Sequence, residues 1–246
     1  PFLPVITPCM QLVPVNGRLV PCFEETLLMC RRVGVGQANG YVLGALGYAA
    51  RLTGDPAAAT AAVGQAVEVF TELKDDLARA QALHQWGCLH RDSGDFAAAE
   101  AALGEARDLR MSLGDRRGEL LTEVNMALLQ AKRGDVTAGL DTARRGLAAF
   151  EAVGDAAGTG GSLTILAAIE LLSGQVRAAR EMYARAAEQL AVWGRMPAWQ
   201  HLMVAELSVE LAEHGRAERE TRTAAITFDK LGCVVARQRL AALRSG

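Results

Sequence analysis

From Asp76 to Asp115 apolar and small residues recur at intervals of three and four, with charged residues between them. That is the period of helices buried along one side. Two helices are predicted, about Asp76–Asp92 and about Phe96–Met111, with Ser93-Gly94-Asp95 between them. Gly94 suits the left-handed position that ends a helix, and the Asp95 carboxylate suits the cap of the next one. Leu113-Gly114-Asp115 repeats the device. Within the pair, Gly87, Ala99 and Ala106 are small where helices would cross, while Leu83, Trp86 and Leu103 fill the space between.

The pattern returns on both sides at a fixed distance. Gly47, Gly87, Ala127 and Ala167 are 40 residues apart, and so are Gly54, Gly94, Gly134 and Gly174. Ala59, Ala99, Gly139 and Ala179 keep the same interval, as do Ala66, Ala106, Gly146 and Ala186. A shorter copy continues through Ala205, Ala212, Ala217 and Ala224. Repeats of this size predict a solenoid, in which each unit buries its apolar side against its neighbours. About five repeats are expected over residues 37–232, and Cys233–Arg244 reads as a C-terminal capping helix within 233–246. Residues 1–21 hold five of the seven prolines and are expected to be an extended segment or linker. Residues 22–36 then read as an N-terminal capping helix or half repeat.

The unit resembles a tetratricopeptide repeat. Leu43-x-x-Leu46-Gly47-x-x-Ala50 and Leu83-x-x-Trp86-Gly87-x-x-His90 match the first half of that signature. Ala59-x-x-x-Val63, Ala99-x-x-x-Leu103 and Ala179-x-x-x-Tyr183 match the second. The departures are a period of 40 instead of about 34 and the lack of a closing proline. They are similar to the longer-helix variant at the C-terminus of bacterial multidomain transcriptional regulators. The resemblance implies an all-α, right-handed superhelical solenoid whose first helices line a concave groove.

On that implication the groove should carry Tyr41, Tyr48 and Arg51 from the first repeat and Gln81, His84, Cys88, Arg91 and Asp92 from the second. The third should add Leu121, Val124, Leu128 and Lys132, the fourth Thr164, Ala168 and Leu171, and the fifth Glu206 and Glu210, with Trp199 near the rim. One end is then polar, aromatic and basic, the middle apolar and the far end acidic, which fits a peptide with an apolar centre. Asn125 is similar to the asparagine with which some of these domains clamp a peptide carboxylate. The basic residues of that clamp are missing, so the clamp is not carried over.

Composition narrows the field. Half the chain is hydrophobic but only 5% is aromatic, so alanine supplies much of the apolar content, as closely crossing helices require. A net charge of −2 argues against a general nucleic-acid footprint, and no run of apolar residues is long enough for a membrane span. Five scattered cysteines without a Cys-x-x-Cys motif point to a reduced, cytoplasmic protein. His84, His90, His201 and His214 have no metal-ligand spacing. Gly34-x-Gly36-x-x-x-Gly40 has the wrong spacing for a dinucleotide loop, and Gly158-Thr159-Gly160-Gly161-Ser162 lacks the lysine of a phosphate loop. The latter reads as a loosened helix start, with a hinge as its functional alternative. No catalytic signature and no cofactor is expected.

The expected function is therefore a peptide- or protein-binding scaffold, regulatory and not enzymatic, with a second copy of the chain left open as a further partner. The alternatives are the effector-sensing fragment of a larger bacterial transcriptional regulator, which the missing first Met would fit, and a small-molecule or enzymatic pocket in the same groove.

Overall fold

The computed structural model describes residues 26–30, 32, 34–191, 198–231 and 234–245. Among the described residues the chain is helical and has no strand. After helical residues at 26–30 come α1 (Gly36–Thr53), α2 (Pro56–Glu72), α3 (Asp76–Ser93), α4 (Phe96–Ser112), α5 (Arg116–Lys132) and α6 (Val136–Ala152). They are followed by α7 (Ala156–Leu172), α8 (Val176–Leu190), α9 (Ala198–Glu210), α10 (His214–Leu231) and α11 (Val234–Ser245). Successive helices pair as hairpins, α1 with α2 through α9 with α10. The chain divides into two compact units at Asp115/Arg116: α1–α4 in the first, α5–α9 and most of α10 and α11 in the second.

The 40-residue repeat is built from a 20-residue step. Asp55, Asp75, Asp95, Asp135 and Asp155 each precede a helix and accept a hydrogen bond from the backbone N–H three residues on, at 2.9–3.1 Å. Each such bond satisfies one of the donors that a helix start leaves unpaired. The residue before each cap takes the left-handed conformation that ends the preceding helix, as at Gly94 with φ 88°. Lys74 (φ 54°) and Ala212 (φ 57°) hold it without being glycine. The predicted boundaries of α3 and α4 extend by one serine each. Ser93 Oγ donates to His90 O at 2.9 Å and Ser112 Oγ to Leu109 O at 2.7 Å, which keeps both serines on the last helical turn.

The small residues of the repeat lie in the core, where Ala59, Ala66, Ala99, Ala106, Ala127, Ala167, Ala179 and Ala186 are fully buried. Within the first unit, a Cβ on Gly47 would stand 2.4 Å from Val63 Cγ2, and one on Gly87 would stand 2.7 Å from Leu103 Cγ. In the second unit Gly146 gives way to Val124 in the same manner, at 2.2 Å, and Gly139 to the carbonyl of Ala127 at 2.7 Å. The glycines that replace alanine here let a helix approach more closely.

The glycine-rich stretch at the start of α7 differs from the loosened start expected of it. Gly158 and Gly160 are packed tightly, with Cβ positions that would fall 2.2 Å from Phe150 Cδ1 and 2.6 Å from Leu190 Cγ. They are small because bulky anchors press on them. The predicted extended segment at residues 1–21 lies outside the described residues. A helix, α11, stands where the C-terminal capping helix is expected, and it buries Ala236 and Leu240.

Candidate ligand-binding face

In the first unit, α1 and α3 are the first helices of their hairpins and lie side by side. Gln85 Nε2 donates to Gly44 O at 3.4 Å, and Arg51 pairs with Asp92 at 3.5 Å. Gln81, His84, Cys88, Arg91 and Asp92 fall on one stripe of α3, as helical spacing requires. Their exposure differs sharply. Gln81 and Asp92 are exposed and His84 and Cys88 half-buried, but Arg91 is only 6% exposed, its Nε and Nη2 on Asp92 Oδ1 at 3.1 and 3.0 Å.

Asp92 is thus shared by Arg51 and Arg91. His84 Nε2 stands 3.9 Å from Cys88 Sγ. Burial, then Arg110 and Arg91, lower the His84 pKa to about 3, so the imidazole is neutral. Burial also pushes the Cys88 thiol up, against Arg91, Arg51 and Arg110, so it is held as the thiol. Both groups are then uncharged. Tyr41 belongs with the core: its ring meets Phe70 edge-on at 5.1 Å. Tyr48 is 42% exposed.

In the second unit α5, α7 and α9 pack side by side. Leu128 and Ala131 of α5 share a core with Leu166 and Ile169 of α7, while Ala167 of α7 shares one with Val204 and Leu207 of α9. Gln200 Nε2 of α9 donates to Thr164 Oγ1 of α7 at 3.0 Å. Val124, expected on the open side, is 2% exposed because it fills the space beside Gly146. Leu121, Asn125 and Lys132 are half-buried, and Asn125 Nδ2 donates to Leu121 O at 2.9 Å.

The α7 sequence contains one ionisable residue, Glu170, which is buried and accepts from Arg144 Nη2 at 3.3 Å. Every side chain α7 leaves open is therefore uncharged: Thr164, Ile165, Ala168 and Leu171 are half-buried and Leu172 is 49% exposed. On α9, Met203 is half-buried and Val209 is 43% exposed. Glu206 is held by Arg239 of α11, whose Nε donates to Glu206 Oε1 at 2.6 Å, and Glu210 is exposed. The acidic end expected of the fifth repeat is thus half neutralised. Trp199 is helical, and its side chain lies outside the described residues.

Sequence spacing identifies the stripe on each first helix but misses the partners that α2, α6 and α11 bring to it. Leu172 and Val209 are apolar residues beside a helix end, and only their exposure distinguishes them from core residues. Among the described residues no group of histidine, cysteine and carboxylate side chains could hold a metal ion, and no helix is long and apolar enough to cross a membrane.

No family model matches the chain, and no curated protein matches it in sequence. Solved structures do. A Rap protein complexed with competence and sporulation factor superposes with a TM-score of 0.68 at 10% identity, over 82% of this chain and 57% of the other. The Rap conjugation gene regulator of the plasmid pLS20, in complex with the Phr* peptide, gives 0.63 at 13% identity, over 92% of this chain and 67% of the other. A signal transduction ATPase with numerous domains and a tetratricopeptide repeat sensor, from Pyrococcus horikoshii, gives 0.56 at 13% identity, over 90% of this chain and 33% of the other. The chain spans little more than half the length of the first of these. At such identities the likeness speaks for the fold. Antiparallel helix pairs, a 40-residue repeat of small core residues and these superpositions agree: the chain has the fold of a tetratricopeptide-like repeat protein.

Proposed function

We propose that this chain binds a peptide, or a peptide segment of a protein, on the open faces of its first helices, and that it serves in regulation. One observation carries the reading. The one ionisable residue of α7, Glu170, is buried and paired, yet an uncharged row from Thr164 through Ala168 to Leu172 stays partly open. A helix of that kind is ordinarily covered. A patch of this sort, with the half-buried Met203 and the exposed Val209 on neighbouring α9, is what an interaction surface provides.

The likeness to two Rap proteins in complex with a competence and sporulation factor and with the Phr* peptide supports a peptide as the ligand. The small residues Gly161, Thr164 and Ala168 leave depth for side chains, and nothing lies within 4 Å of where a Cβ on Gly161 would be. A second reading is the effector-sensing part of a larger switch protein, and it rests on the likeness to the ATPase with a tetratricopeptide repeat sensor. Both use the same face.

The test is an array of N-acetylated, C-amidated heptapeptides with apolar centres, probed with the wild-type chain and with Ala168→Trp. The indole would occupy the row between Thr164 and Leu172, one turn from each. Peptides retained by the wild type and lost by the variant support the reading, and equal retention by both refutes it.

A further inference from the structure

Resting on the peptide-binding reading, the structure points to the chemistry of the ligand at one end of this face. We infer that a bound peptide places a basic residue, Lys or Arg, beside its apolar residues, and that Glu210 receives it.

The carboxylates of this part of the second unit are mostly taken. Glu170 accepts from Arg144, Glu206 from Arg239, and Glu213 pairs with Arg180. Among the described residues Glu210 forms no such pair, and it is exposed. It stands on the same stripe of α9 as Glu206, one turn further on, and directly follows Val209. Val209 and Leu172, the last residue of the neighbouring first helix, are 43% and 49% exposed. Two open apolar side chains and an open carboxylate therefore occupy the C-terminal ends of adjacent helices.

Glu210 is also the last residue of α9, where the helix dipole disfavours an anion and favours a cation. A cation supplied by the ligand would answer both the carboxylate and the helix end, while its apolar neighbours cover Leu172 and Val209. At the other side of the face Lys132, at the end of α5, is half-buried and already engaged, so the opposite charge offers no comparable site.

The test uses capped heptapeptides with a leucine-rich centre in which each flanking position carries in turn Lys, Arg, Gln or Glu. The wild type, Glu210→Gln and Glu210→Lys are compared, with melting temperatures to establish that all three fold. The wild type should prefer Lys or Arg over Glu at one flanking position by roughly threefold, the size of an exposed ion pair. Glu210→Gln should remove that preference and Glu210→Lys should reverse it. Peptides that bind all three proteins with the same charge preference overturn the inference and leave the binding face standing. A wild type that binds none of the peptides overturns the peptide-binding reading, and the inference with it.

Discussion

At the scale of single residues, two helical glycines of the first unit make opposite predictions. A Cβ on Gly87 would stand 2.7 Å from Leu103 Cγ and 3.1 Å from the Leu103 nitrogen, and backbone cannot turn aside. Gly87→Ala is expected to cost about 1–3 kcal/mol through overpacking. A Cβ on Gly104 would meet nothing within 4 Å, so Gly104→Ala is expected to gain about 0.5–1 kcal/mol from the lower entropy of the unfolded chain. Thermal or urea unfolding of the two variants checks both signs. That Gly87 is closely packed and Gly104 is not was legible in the sequence, because the counterparts of Gly87 at one and two periods, Gly47, Ala127 and Ala167, are all small, whereas those of Gly104 include Arg144. The burial of Arg91 was not legible. Its stripe is set by helical spacing, but its depth depends on packing that spacing does not encode.

His84 carries a prediction of its own. Its pKa in the fold is lowered to about 3 by burial, then by Arg110 and Arg91. The unfolded chain takes up this proton below the ordinary 6.5, whereas the folded chain does not until about 3. The stability this neutral histidine contributes is therefore complete above pH 6.5 and is lost as the pH falls toward 3. His84→Gln removes the titration. Melting temperatures measured from pH 7 down to pH 4.5 should accordingly fall more steeply for the wild type than for His84→Gln. Parallel slopes would contradict the assignment.

At the scale of the helix, the regularity lies in the caps. Five helices begin behind an aspartate that accepts from the N–H three residues on, but α8 begins behind Gln175, whose side chain makes no capping bond. Gln175→Asp supplies the missing acceptor and should stabilise the chain by about 0.5–1 kcal/mol, read from the shift in urea midpoint at an unchanged slope. Most helix ends were legible because the Gly-Asp pair marks both the stop and the next start. The character of the α7 start was less so. Its glycines read as looseness, because the residues that demand them, Phe150 and Leu190, lie on neighbouring helices.

At the scale of the whole molecule, period and composition led to the architecture, because a repeat of small residues has one efficient use: to let helix pairs stack closely. The first-helix stripes were legible for the same reason. What could not be read from sequence was which members of those stripes stay open. That depends on neighbours such as Arg239, which takes Glu206, and Gly146, which draws in Val124. Peptide binding by this chain turns on the open, uncharged row of α7. The most direct measurement is the affinity of Ala168→Trp, relative to the wild type, for the peptide that the array ranks first, taken by calorimetry together with the melting temperature of each protein. A loss of ~tenfold or more in affinity is expected, equivalent to ~1.4 kcal/mol, at a temperature where both proteins are folded. Equal affinity in two equally folded proteins would contradict it.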